Sequence, residues 1–356
     1  MIDIVKVLLP AIFSFVVGIA ITPTITNYLY KNKMWKQKSG KIAIDGNQAS
    51  VFNELHKDKE ISTPRMGGSI IWISAYIVGS IIWLLSHTLP FDFLIKLEFI
   101  SRDQTWIPFA ALLIGALVGL IDDMLEIKGG GGRLAGGLSL KKRLVVVGAI
   151  GLAVSSWFFL KLDVTSIALP LDHMINLGWL IIPVFSLIMI AIYAGGVIDG
   201  VDGLAGGVFA SMFGAYGIIA YYHDQINLAA FCGLIVGGLL AFLWFNIPPA
   251  RFYMSETGSM ALTITLVIIA FMTDTIGDGI GIFVLPIIAF PLVITVGSII
   301  IQMFYKKYTG GKKIFHSTPI HHHFEALGWP NYKVTMRYWI LSMICSATGV
   351  IIALTF

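Results

Sequence analysis

Ten apolar runs, each about long enough to cross the hydrocarbon of a bilayer, recur along this chain, and few folds accommodate so many. In lipid each run must satisfy its own backbone hydrogen bonds, which leaves helices as the solution for segments of this length. The runs fall at about residues 5–28, 67–85, 106–121, 144–160, 175–193, 204–222, 228–245, 259–272, 280–305 and 334–354. Charged residues make up 12% of the 356, against roughly 25% in a soluble domain. The expected fold is therefore all-α, a single polytopic domain over residues 1–356 with about ten transmembrane helices. No small-residue cleavage site follows the first run, which is expected to stay as a span. Cys232 and Cys345 each lie inside an apolar run and read as small core residues.

The basic residues orient the spans. Of 24 lysines and arginines, all but Lys6, Lys96, Arg102 and Lys161 follow odd-numbered spans, with Arg337 just inside the last. By the positive-inside rule those loops face the cytoplasm, so both termini are expected outside. The external connections carry Asp92, Glu98, Asp103, Asp163, Asp172, Asp224, Asp274 and Asp278 without a repeated pattern, and read as solvated connectors.

The unusual chemistry falls on the basic side. Asp122 and Asp123 end the third run, Asp199 and Asp202 lie three residues apart after the fifth, and Glu256 precedes the eighth. One such pair could simply end a helix in a solvated loop; several on one face of a membrane point to a functional site. If helical, the segment bearing Asp199 and Asp202 would aim both carboxylates one way. Facing carboxylates repel unless a cation sits among them or protons are taken up, and oxygen donors of this kind suit Mg²⁺ with a phosphorylated substrate. Lys57, Lys59, Arg65, Lys128, Lys141 and Lys142 are available to phosphate oxygens, and Asn246 and Tyr253 to a base. The run His321-His322-His323 lacks the intervening residues usual between zinc ligands and reads better as donors to a diphosphate. Glycines 129–132, 136 and 137 make the third-span connection flexible, and Gly200 and Gly203 interleave with aspartates where a backbone must approach a ligand.

Taken in order, Thr63-Pro64-Arg65-Met66-Gly67-Gly68, Asp122-Asp123, Asp199-Gly200-Val201-Asp202-Gly203, Phe245-Asn246, Glu256-Thr257-Gly258-Ser259 and Pro319-Ile320-His321-His322-His323-Phe324-Glu325 resemble the polyprenyl-phosphate N-acetylhexosamine-1-phosphate transferases. The resemblance runs from the first cytoplasmic loop to the last span. It implies a bacterial inner-membrane enzyme, a homodimer with its active site on the cytoplasmic face and no nucleic-acid partner. Its reaction would move phospho-MurNAc-pentapeptide from UDP-MurNAc-pentapeptide to the membrane lipid undecaprenyl phosphate, giving lipid I and UMP with Mg²⁺. Carried over by motif, Asp122 is the base or orienting carboxylate, and Asp123 lies in the magnesium and phosphate region. Asp199 and Asp202 lie near nucleotide and metal, Asn246 and Tyr253 meet the uridine, and His321, His322 and His323 close over the phosphates. Glu256 stands where the family has a magnesium-binding aspartate, and Gly196 where it has asparagine. Arg65 replaces a threonine more common in the branch that handles MurNAc, and resembles relatives that transfer GlcNAc-1-phosphate, the alternative substrate. Glu126 stands where lysine is common, which turns the expectation for a phosphate partner to Lys128 or Lys141. An ion-coupled transporter would need carboxylates near the midplane and repeated, broken spans, and neither is present.

Overall fold

A computed structural model of the chain describes residues 2–36, 61–129 and 137–356. The elements are α1 (Ile2–Lys31), α2 (Ser69–Thr88), a short α3 (Asp92–Leu97), α4 (Trp106–Lys128), α5 (Leu140–Leu162), a hairpin of β1 (Ser166–Leu169) and β2 (His173–Asn176), α6 (Ile181–Gly195), α7 (Leu204–Tyr222) and α8 (Ile226–Asn246). Then come α9 (Ser255–Met272), α10 (Gly281–Ile288), α11 (Phe290–Tyr308), α12 (Ile320–Ala326) and α13 (Asn331–Thr355). Ten of the described helices are long and apolar enough to cross a membrane, α6 counting with the single turns that flank it.

The bundle is organised around α9. Its most apolar 18-residue stretch is 94% buried, against 17% for α1 and 28% for α5, α11 and α13. Every residue of α9 but Glu256 is buried, and the Thr263 and Thr265 hydroxyls bond back to carbonyls of the same helix, as in a helix enclosed by protein. α4 lies along it, as α1 lies along α8, α5 along α6 and α13 along α7.

Glycine makes the α4–α9 approach possible. A Cβ on Gly119 would stand 2.2 Å from the carbonyl oxygen of Glu256, and one on Gly115 would stand 2.8 Å from the Cα of Ala261. Small residues four apart let two backbones meet in this way. The Thr257 hydroxyl then donates across the seam to the carbonyl of Ala116 at 3.2 Å.

The third span is longer than its apolar run suggested. Helix α4 continues past Asp122 and Asp123 to Lys128, because Ile127, seven residues after Leu120, keeps an apolar face against Leu29 and Met66, and because α9 covers Asp123. The ninth crossing is interrupted at Ala289: Pro291 brings no amide hydrogen to the ladder, and α10 and α11 form on either side. Ile175, expected to open the fifth span, lies in β2 instead, paired with Ile167 across an antiparallel hairpin.

Asp274 is likewise no solvated connector. It is buried at the end of α9, accepting the amide hydrogens of Ala168 (2.9 Å) and Ile282 (3.0 Å), and so ties the hairpin to the start of α10. Burial pushes its carboxyl up from 3.8 to about 6, with those amide donors acting the other way. The folded chain therefore holds this proton more tightly than the unfolded one. The contribution is full below about pH 4 and is lost as pH rises through about 6. Asp274→Asn should remove this component, on the order of 3 kcal/mol at most, so melting curves of the two proteins between pH 4 and 7 should differ in slope. Parallel curves would mean that Asp274 ionises normally.

Candidate active site

The first turn of α9 gathers side chains from three other parts of the chain. Its exposed amide hydrogens are an anion site by construction, and carboxylates fill it. Asp199 Oδ2 accepts the Ser255 N–H at 2.7 Å, while Asp123 accepts those of Glu256 (3.3 Å) and Thr257 (2.9 Å). Ser255 itself sits at φ +58°, an unusual backbone for serine, anchored by that Asp199 contact. Asp123, Asp199 and Glu256, scattered over more than a hundred residues of sequence, are thus brought to one helix end.

Two arginines join this acidic cluster. Arg143, in the first turn of α5, reaches Asp122 Oδ2 at 2.9 Å and Glu256 Oε1 at 2.5 Å. The second carboxylate oxygen of Asp122 accepts the Leu138 N–H, and that of Glu256 accepts the Tyr193 hydroxyl at 3.2 Å. Arg65 pairs through Nη2 with Glu126 at 2.8 Å and points Nε toward Asp123 at 3.7 Å; Lys36 holds the other Glu126 oxygen at 3.0 Å. Burial opposes the charge on Arg65, but Glu126 and then Asp123 outweigh it and hold its pKa above the ordinary arginine value.

The second aspartate pair does not share a direction. A single tight turn, Gly196–Ile198, ends at Asp199, and Gly203 at φ +77° redirects the chain before α7 starts. The segment is a turn, so Asp199 reaches the start of α9 while Asp202 Oδ2 accepts the Ala250 N–H at 3.3 Å. Asn246 staples this turn to the loop after α8, accepting from Gly203 N–H (3.0 Å) and donating to the Phe252 carbonyl (2.7 Å). Tyr253 is half-buried beside it, its backbone bonded to Pro64 and Gly67 of the loop before α2.

The histidines arrive on α12. A Cβ on Gly200 would lie 2.7 Å from Nε2 of both His321 and His322, so the two imidazoles close on the Asp199–Gly200 backbone. His322 Nδ1 meets Glu325 at 2.5 Å, which fixes which ring nitrogen faces the turn. His323 points elsewhere, stacked on His316 and accepting its amide hydrogen at 3.1 Å. Burial, and then His316, lower its pKa.

Lys128 and Lys141 are exposed at the ends of their helices. Lys59, with Lys38, Lys41, Lys57, Arg133 and glycines 130–132 and 136, lies outside the described residues. Arg143 and the Arg65–Glu126–Lys36 link were not nominated from the sequence. One signal was present for Arg143: Lys141, Lys142 and Arg143 crowd the positive end of α5, against the helix dipole, which calls for a compensating anion.

Glycosyl transferase family 4 matches residues 105–274, which include Asp122, Asp123, Asp199, Asp202 and Glu256. A phospho-N-acetylmuramoyl-pentapeptide-transferase of Listeria monocytogenes serotype 4b is 32% identical over 303 residues, 83% of this chain and 86% of that protein. The protein of that name from Listeria innocua serovar 6a is 32% identical over 307 residues, with the same coverage. That from Chloroflexus aurantiacus is 29% identical over 367 aligned positions, 99% of this chain and 91% of that protein.

Proposed function

The chain belongs to the phospho-N-acetylmuramoyl-pentapeptide-transferase family, and we propose that it transfers phospho-MurNAc-pentapeptide from UDP-MurNAc-pentapeptide to undecaprenyl phosphate, releasing UMP and leaving lipid I in the membrane. The observation that carries this reading is the convergence of Asp122, Asp123, Asp199 and Glu256, with Arg65 and Arg143, at the end of one enclosed helix. The basic-residue asymmetry supports placing that end at the cytoplasmic face of the bacterial inner membrane with both termini outside. Assembly as a homodimer is part of the same proposal and rests on the resemblance alone.

The donor set suits Mg²⁺. Asp122, Asp123, Glu126, Asp199 and Glu256 face Lys36, Arg65 and Arg143, which leaves a formal charge of about minus two for a divalent cation to offset. Among the described residues no three metal-ligating side chains are grouped around one point, so a magnesium ion here would take one or two carboxylates and complete its shell with water and phosphate. One or two of Glu256, Asp123 and Asp199 would hold it, and when bound it would offset charge on the diphosphate and on departing UMP.

The lipid phosphate oxygen forms a bond to the β-phosphorus as the bond to the α-phosphate oxygen breaks. A phosphomonoester is mostly ionised at neutral pH, its second pKa being about 6, so Asp122 is needed to orient the attacking group more than to take a proton. Arg143 steadies Asp122 and Glu256 and lies where it can meet phosphate oxygens. His321 and His322, closing on the Asp199–Gly200 backbone, would donate to the diphosphate. Positioning and charge stabilisation are the usual sources of rate in phosphoryl transfer.

Purified protein with undecaprenyl phosphate and Mg²⁺ should release UMP from UDP-MurNAc-pentapeptide. Arg65 favours a second reading, GlcNAc-1-phosphate transfer, and UMP release from UDP-GlcNAc alone would decide for it. Glu256→Ala should raise the magnesium concentration needed for half-maximal rate about tenfold or more, while Glu256→Asp keeps a metal dependence. An unchanged magnesium curve in Glu256→Ala would place the ion elsewhere.

A further inference from the structure

We propose that Glu126 is a positioning residue that acts through Arg65, an arrangement that rests on the transferase reading above but extends it to a contact between them that no motif predicts. Glu126 lies one helical turn beyond Asp122 and Asp123 on α4, with its side chain 6% exposed. A carboxylate so enclosed needs partners, and both come from the loop before α2 or the segment after α1: Arg65 at 2.8 Å and Lys36 at 3.0 Å. The pairing also decides where Arg65 points. With Nη2 taken by Glu126, the planar fork presents Nε toward Asp123 at 3.7 Å, without a hydrogen bond of its own. Asp123 in turn accepts the amide hydrogens of Glu256 and Thr257 that open α9. The backbone of Arg65 is fixed as well, its N–H bonded to the Met34 carbonyl at 2.8 Å, so the loop is held at two points beside the acidic cluster.

The chain of contacts Lys36–Glu126–Arg65–Asp123 therefore sets the position of a fixed positive charge at the edge of the anion-binding end of α9. The Arg65 side chain is 19% exposed and Glu126 engages only its Nη2, so an oxyanion at the site would meet the donors of the fork that remain. A guanidinium can do both because its donors form a rigid fork. Glu126 contributes nothing to the reacting atoms directly. Its removal should free Arg65 to swing onto Asp123 or into solvent, changing the rate more than the affinity for the nucleotide sugar.

Two readouts test this. In the first, Glu126→Gln should lower kcat for UMP release about tenfold with KM for the nucleotide sugar changed less than twofold, and Glu126→Asp should restore most of the rate. In an Arg65→Met background the Glu126→Gln change should cost nothing further, because residues that act through one another are not additive. Lys36→Gln, which leaves the Arg65 pair in place, should cost about threefold. The second readout is independent of turnover: peptide mass spectrometry after phenylglyoxal treatment should find Arg65 labelled at least fivefold faster in Glu126→Gln than in the parent, with Arg143 unchanged. Unchanged Arg65 labelling overturns the proposal, as do equal Glu126→Gln losses in both backgrounds or a drop in melting temperature with kcat intact. A parent protein that releases no UMP from any nucleotide sugar would refute the functional reading, and the labelling would still decide whether Glu126 holds Arg65.

Discussion

Asp122→Asn is expected to reduce UMP release by at least about a hundredfold while the protein stays folded and monodisperse. The change is isosteric, and the amide oxygen can still accept the Leu138 N–H that Asp122 Oδ1 receives. What disappears is the charge opposite Arg143, which retains Glu256 as a partner. Losing one member of an enclosed ion pair often costs about 3–5 kcal/mol, but a guanidinium with a second carboxylate in place is not left uncompensated. The rate effect has the size expected when the attacking group loses its orientation, about a hundredfold for a misplacement near 1 Å. Steady-state UMP release alongside a melting curve separates the two effects. Near-normal turnover removes Asp122 from the mechanism, and phosphate trapped covalently on Asp122 would replace direct attack by a two-step route through an aspartyl-phosphate.

Gly119→Ala should be nearly as damaging, though it introduces only one uncharged methyl group. The new Cβ would lie 2.2 Å from the Glu256 carbonyl oxygen and 2.5 Å from its carbonyl carbon. Both are backbone atoms, so no side chain can turn away and the helices must part. Overpacking of this kind costs about 1–3 kcal/mol, and a displacement near 1 Å at a reacting centre costs about a hundredfold in rate. Gly297→Ala is the matched control, since a Cβ there meets nothing within 4 Å. The expected outcome is a large loss of kcat for the first variant and parent-like behaviour for the second. Equal activity of the two would show that the α4–α9 seam can adjust without moving the carboxylates.

Much of this architecture was legible because a bilayer imposes one strong rule on every span. Each apolar run holds a helix, the ninth broken in two at Ala289 and the fifth opening in β2, and the aspartates stood out because charge at that depth is costly. The site's acidic members were readable for the same reason. Its basic members were not: Arg143 is the last of three adjacent basic residues, and only the helical rotation of α5 separates it from Lys141 and Lys142. Nor could spacing reveal that Arg65 would meet Glu126, since the pair exists only once α2 and α4 pack beside α9. The hairpin was hidden because two four-residue strands within a mainly apolar stretch carry too little alternation to differ from the start of a span. The Asp199–Asp202 spacing suggested a helical turn, but the surrounding glycines favour a bend, and the bend sends the two carboxylates to different amide hydrogens.

The enclosure of α9 has a further bearing on how such a protein meets its surroundings. Thickening, thinning or stiffening the bilayer acts first on helices that touch acyl chains, and here those form a rim. Among the described helices the candidate site is built on the most enclosed one, so mechanical stress from the membrane would reach it after crossing a layer of protein.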